Sequence, residues 1–141
     1  MTAIDFLNKP NKIRKELKAL EMELALYNRL SNTLPSQDFS TPRVDHTKRD
    51  DAYFEKWNLL AIDKEKEIEA KKKELEKVII EVKKAIEKMD NPDYRVLLQL
   101  RYIENLTFDL IAKKMYISLS TAKRWHREGV YYVEIQRVTN K

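Results

Sequence analysis

The sequence predicts an all-α protein, with a long helical, coiled-coil-like N-terminal arm over residues 1–90 and a C-terminal three-helix helix-turn-helix domain over residues 91–141. Three observations predict it. Charged residues make up 36% of the 141 residues while glycine occurs once and proline four times, a balance that suits long solvated helices and starves a chain of sheet turns. Apolar residues recur at alternating steps of three and four over two long stretches. Prolines at Pro35, Pro42 and Pro92 fall where those rhythms stop.

The first helix is expected from about Asn11 to Leu34. Its apolar residues Ile13, Leu17, Leu20, Leu24 and Tyr27 step by four, three, four and three, which aligns one narrow stripe on a helix. Residues 35–50 follow, with two prolines, serines, threonines and mixed charges, and read as a flexible connection without visible chemistry.

A second helix is expected from about Asp51 to Met89, opened by acids that suit a helix N-terminus. Trp57, Ala61, Lys64, Ile68, Lys71, Leu75, Val78, Val82, Ala85 and Met89 keep the same rhythm, so the seam is a heptad one broken by two lysines. Pairs such as Glu67 with Lys71 and Glu69 with Lys73 make the Lys/Glu runs a solvated face rather than a binding patch. At 1.5 Å per residue the second helix would be about 60 Å long and the first about 35 Å, so a hairpin leaves Leu75 through Met89 uncovered unless a second copy or the C-terminal domain meets them. A homodimer or higher homo-oligomer through the arm is the expectation. A break near Lys71 with folding into one compact monomer is the alternative.

Asn91-Pro92 stops the long helix. Tyr94, Leu97, Leu98, Leu100 and Arg101 suggest a new helix closed by Glu104-Asn105-Leu106. Thr107 is placed to cap a second, with Phe108, Ile111, Ala112 and Met115 on its inner face, and Ser118 to cap a third running from Leu119 to about Glu128. Val130 to Ile135 reads as a short final helix or strand that closes the domain or forms a subunit contact.

The spacing of Ile111, Ala112, Met115, Ile117, Ala122 and Trp125 is what a helix-turn-helix requires: a small residue where two helices cross and apolar residues facing a shared core. That packing leaves the first turns of the third helix protruding with Leu119, Ser120, Thr121, Lys123, Arg124 and Arg127, next to the cap Ser118. Hydroxylated and basic residues of this kind can enter a major groove, bond base edges and neutralise phosphates. Lys113 and Lys114, at the end of the second helix, join the expected DNA-binding set. From Asp93 onward nine basic residues stand against five acidic ones, an excess of +4 out of the chain's +5. The expected partner is therefore double-stranded DNA. A small helical core with ordinary surface lysines is the plainer reading.

Other chemistries find little footing. Cysteine is absent, which removes disulfides and thiolate metal sites and fits a reducing cytoplasm. His46 and His126 lie in different segments with no acid cluster at ligand spacing, so no metal is expected, and His126 reads as an ordinary exposed histidine. One glycine, Gly129, cannot build a phosphate-cradling loop. No catalytic residues and no cofactor are expected, and the carboxylates of the long helix lack the burial that tunes acid-base groups. No leader and no apolar run near the ~20 residues of a membrane span is visible, so a soluble cytoplasmic protein is expected.

The runs Leu97-Leu98-Gln99-Leu100-Arg101-Tyr102, Leu106-Thr107-Phe108 with Ile111-Ala112, and Ile117-Ser118 with Ser120-Thr121 and Lys123-Arg124 resemble region 4 of sigma-70-type factors. Joined to a helical arm, they resemble small phage-encoded regulators of the ArpU and RinA kind. The resemblance covers roughly Asp90 to Val133 and implies control of phage gene transcription in a bacterial host cell, with RNA polymerase as a further partner. The chain departs from the pattern at two places. Tyr116 stands in the tight turn where many such motifs carry glycine, which leaves a remodelled turn open. Leu119-Ser120 replaces the charged groups that read promoter bases, and a leucine there can meet a thymine methyl. The competing reading is a protein-interaction module, in which arm and helix-turn-helix both bind protein.

Overall fold

The computed structural model describes residues 2–32 and 47–139, all of whose regular structure is helical. The elements are α1 (Ala3–Leu7), α2 (Lys9–Asn32), α3 (Thr47–Glu87), α4 (Pro92–Leu98), a π-helical turn (Gln99–Ile103), α5 (Phe108–Met115) and α6 (Leu119–Thr139). The predicted connection over 35–50 lies outside the described residues up to residue 46, as do Leu34 and His46. No described helix is long and apolar enough to cross a membrane.

The chain divides into two compact units, one of residues 15–73 and one of residues 1–14 with 74–141. The boundary thus falls inside α3 rather than at Asn91-Pro92. The physical reason lies in the seam itself, which continues without a break while the residues that cover it change.

In the unit of residues 15–73, α2 and α3 meet along the predicted seams. Leu17, Leu20, Leu24 and Tyr27 are half-buried, as are Trp57, Lys64 and Lys71, while Ala61 and Ile68 are buried. Tyr27 stacks on Trp57 with ring centroids 5.7 Å apart, and Tyr53 meets the same indole edge-on at 6.2 Å. The two seam lysines, which break the apolar rhythm, are matched by acids on α2. Lys64 Nζ lies 2.7 Å from Glu23 and 3.4 Å from Glu67, and Lys71 Nζ lies 2.6 Å from Glu16. Each lysine lays its methylene stem along the seam and keeps its ammonium with a carboxylate, which Glu23 rewards by raising the Lys64 pKa. The helix does not break near Lys71: α3 is continuous from Thr47 to Glu87.

The other unit is built around a single core. Val82, Ile86 and Met89 from the end of α3 are buried with Leu97, Leu98, Tyr102, Ile111, Ala112, Ala122 and Val133. The seam that the length argument left uncovered is therefore covered by the chain's own C-terminal helices, and it supplies no reason for a second copy.

The same core takes in Ala3 and Leu7 of α1, a helix the sequence reading did not anticipate. Thr2 and Asp5 form a capping box, each side chain accepting from the other's backbone N–H at 3.2 Å. Those hydrogen bonds hold the Asp5 carboxyl below its usual pKa. The Ala3 N–H is accepted by Glu134 of α6 at 2.6 Å. At the start of α2, Arg14 donates to Asn11 Oδ1 at 3.0 Å and to the carbonyl of Ile103.

Candidate nucleic-acid interface

Nine residues before α5, the α4 helix widens into the π turn, where the N–H of Glu104 reaches the carbonyl of Gln99 at 3.1 Å. Asn105 then takes a left-handed conformation, φ 59°, a region asparagine tolerates better than most residues. The single helix expected over this stretch is thus α4 plus a π turn. The widening sets Tyr102 inward and lets Arg101 donate to the Leu106 carbonyl at 2.9 Å while its guanidinium lies over the Phe108 ring, 4.5 Å from the centroid.

Both expected caps of the helix-turn-helix form. Thr107 Oγ1 accepts from the N–H of Leu110 at 3.3 Å and Ser118 Oγ from the N–H of Thr121 at 3.1 Å, each satisfying an orphan donor of a helix's first turn. Ile111, Ala112 and Ala122 are buried and Met115, Ile117 and Trp125 half-buried, so all six positions of the predicted spacing face inward. Between the helices, the N–H of Ile117 reaches back to the Ala112 carbonyl at 3.0 Å, closing a Schellman turn. Its left-handed position is Tyr116, φ 57° and ψ 43°. The turn is not remodelled for want of a glycine; the tyrosine adopts the glycine's conformation.

The predicted DNA-binding residues gather at this end of α5 and α6. Leu119, Ser120, Lys123, Arg124 and Arg127 are exposed on α6, and Lys113 and Lys114 are exposed in the last turn of α5. Thr121 departs from the expectation of an exposed reader. It is half-buried, and its hydroxyl accepts from Ser118 Oγ at 2.7 Å, which commits both side chains to the helix start. Ser120 Oγ lies 3.2 Å from the same oxygen but stays at the surface. From Leu110 to Arg127 the sequence has no acid. The first acid beyond, Glu128, accepts a hydrogen bond from the Tyr94 phenol, which raises the phenol's pKa.

His126 is not the exposed histidine expected. It is half-buried between Tyr102, stacked at 5.6 Å, and Phe108, edge-on at 5.1 Å, with Nε2 2.5 Å from the Tyr102 hydroxyl. Burial, with the nearby Arg101 charge, pushes its pKa down, and burial pushes the Tyr102 phenol up. The imidazole packs between the Tyr102 and Phe108 rings.

Past Glu128 the chain does not form a separate closing element. The α6 helix runs on to Thr139 through the buried Gly129, carrying Tyr131, Tyr132, Ile135 and Val138 exposed. The helix therefore extends past Glu128, where the lone glycine suggests an end, by eleven residues.

Residues 33–134 match the family model described as "Protein of unknown function (DUF1492)", and since the match spans well over half of the chain, the chain belongs to that family. No curated protein and no solved structure matches.

Proposed function

We propose that this DUF1492 protein binds double-stranded DNA through its helix-turn-helix and regulates transcription, with the first turns of α6 in the major groove. The observation that carries the reading is the pairing of α5 and α6 over Ile111, Ala112 and Ala122 with an exposed, acid-free run on the outside. Ser120, Lys123, Arg124 and Arg127 lie within about two and a half turns of one helix end. Such an array can approach a polyanion without repulsion, with basic groups on phosphates and Leu119 and Ser120 at base edges.

The test is enrichment of duplexes from a random pool at physiological salt, with the Lys123→Ala/Arg124→Ala double variant alongside. Recovery of a motif that the double variant loses supports the reading. If about six phosphates are contacted, log affinity falls with log salt at a slope of about −5. A slope near zero counts against it.

A second reading, binding to a protein such as RNA polymerase, draws on the far half of α6, where Tyr131, Ile135 and Val138 recur at steps of four and three and stay exposed. Loss of partner binding with DNA binding intact on replacing Tyr131 and Ile135 would favour it. Self-association through the arm draws on Met22 and Leu26 of α2 and on Leu59 and Ile62 of α3, which are exposed in their own unit.

A further inference from the structure

We propose that Tyr116 is a DNA-backbone contact, its phenol donating a hydrogen bond to a phosphate oxygen beside the groove that α6 enters, with Lys113 and Lys114 as its charged neighbours. The inference rests on the DNA-binding reading above and adds to it a residue that lies outside the recognition helix.

Residue and conformation are mismatched at position 116. A left-handed φ of 57° at the end of α5 is the position that glycine fills without steric cost, because a Cβ there crowds the backbone. A tyrosine in it is strained, and strained residues of this kind cluster at functional sites, which raises the question of what this side chain is for. That use is not packing. The Tyr116 side chain is 95% exposed, so it recovers nothing from the core, and the backbone hydrogen bonds that close the turn need no side chain at all.

Its placement gives the use a direction. Tyr116 follows Lys114 by two residues and precedes the cap Ser118 by two, so its Cα lies within about 7 Å of each. It is therefore flanked by the two exposed lysines of α5 and the hydroxylated start of α6, inside the stretch that has no acid from Leu110 to Arg127. An exposed phenol on this stretch is an uncharged donor close in sequence to two lysines. It has few torsions to freeze on binding, and the acceptor it suits is an anionic oxygen. A phosphate contact fixes position without reading sequence.

These features give the contact a signature unlike that of a lysine. A neutral donor displaces no condensed counterion, so its loss lowers affinity without changing the salt slope, whereas loss of a lysine contact shallows the slope by about 0.9. Removing the tyrosine also relieves the turn, so stability and affinity move in opposite directions.

The experiment titrates the full chain with its enriched duplex and with an unrelated duplex across a salt series, comparing wild type, Tyr116→Gly, Tyr116→Phe and Lys113→Ala. The expected result is that Tyr116→Gly melts higher than wild type yet binds both duplexes about tenfold more weakly, at the wild-type slope. Tyr116→Phe, which keeps the ring and loses the donor, shows most of the same loss. Wild-type affinity in Tyr116→Gly overturns the proposal, and so does a loss confined to the enriched sequence, which would make Tyr116 a base reader. If Lys123→Ala/Arg124→Ala abolishes binding while Tyr116→Gly binds as tightly as wild type, the DNA-binding reading stands and this proposal alone falls. If wild type binds neither duplex at low salt, both fall.

Discussion

Gly129 lies directly against Leu98: a Cβ built at position 129 would stand 3.2 Å from Leu98 Cδ1 and 3.3 Å from Cγ. Leu98 is fully buried in the core, so it has little room to yield. In an isolated helix Gly→Ala would gain about 1 kcal/mol. Here we expect Gly129→Ala to destabilise by about 1 kcal/mol in urea denaturation, and the same change in a Leu98→Ala background to stabilise. Simple additivity of the two substitutions would contradict the close packing.

The boundary inside α3 predicts the behaviour of fragments. A peptide of residues 91–141 lacks Val82, Ile86, Met89, Ala3 and Leu7 from its core and is expected to show little helix by circular dichroism. In the full chain, Ile86→Ala should cost about 3 kcal/mol and abolish the folding of the helix-turn-helix unit before that of residues 15–73. A well-folded 91–141 fragment would show that the end of α3 is dispensable.

The half-buried imidazole of His126 makes stability depend on pH. His126 is held neutral, with its folded pKa below the unfolded value near 6.5, so the unfolded chain binds more protons as pH falls. Stability is full above about pH 6.5 and declines as pH falls through that value toward the depressed folded pKa. Urea midpoints measured from pH 7.5 to 5 should fall for wild type and fall less for His126→Gln. Parallel curves for the two proteins would remove the histidine as the cause.

The proposed self-association of the arm is expected to run through outward apolar residues rather than through the seam. Met22→Glu/Leu26→Glu should shift the sedimentation of wild type to that of a monomer without changing its helix content. Sedimentation of wild type as a monomer at all concentrations would end the proposal.

Much of this architecture was legible because it rests on local chemistry. Thr107 and Ser118 cap where a hydroxyl precedes an apolar run, and the seam from Trp57 to Met89 follows from its spacing alone. What escaped has tertiary causes. Five residues of α1 are too few to show a period, and they are fixed by Glu134, which is remote in sequence. Gly129 reads as a stop, yet the Leu98 side chain requires it inside a continuous helix. The burial of His126 depends on the π turn that brings Tyr102 inward, a backbone feature with no residue signature. Of the candidate site, the residue types were visible, but not that Thr121 is tied to its own cap or that Tyr116 accepts a glycine's conformation.

The hydrogen bond from Ala3 to Glu134 joins residues 131 positions apart. During synthesis from the N-terminus, residues 15–73, which form a compact unit of their own, are made before most of the other unit. The other unit is closed later: α1 must wait for α6, because Ala3 and Leu7 share a core with Ala122 and Val133. A nascent or truncated chain ending before α6 would therefore hold residues 15–73 complete and leave the core around Val82, Ile86 and Leu98 open.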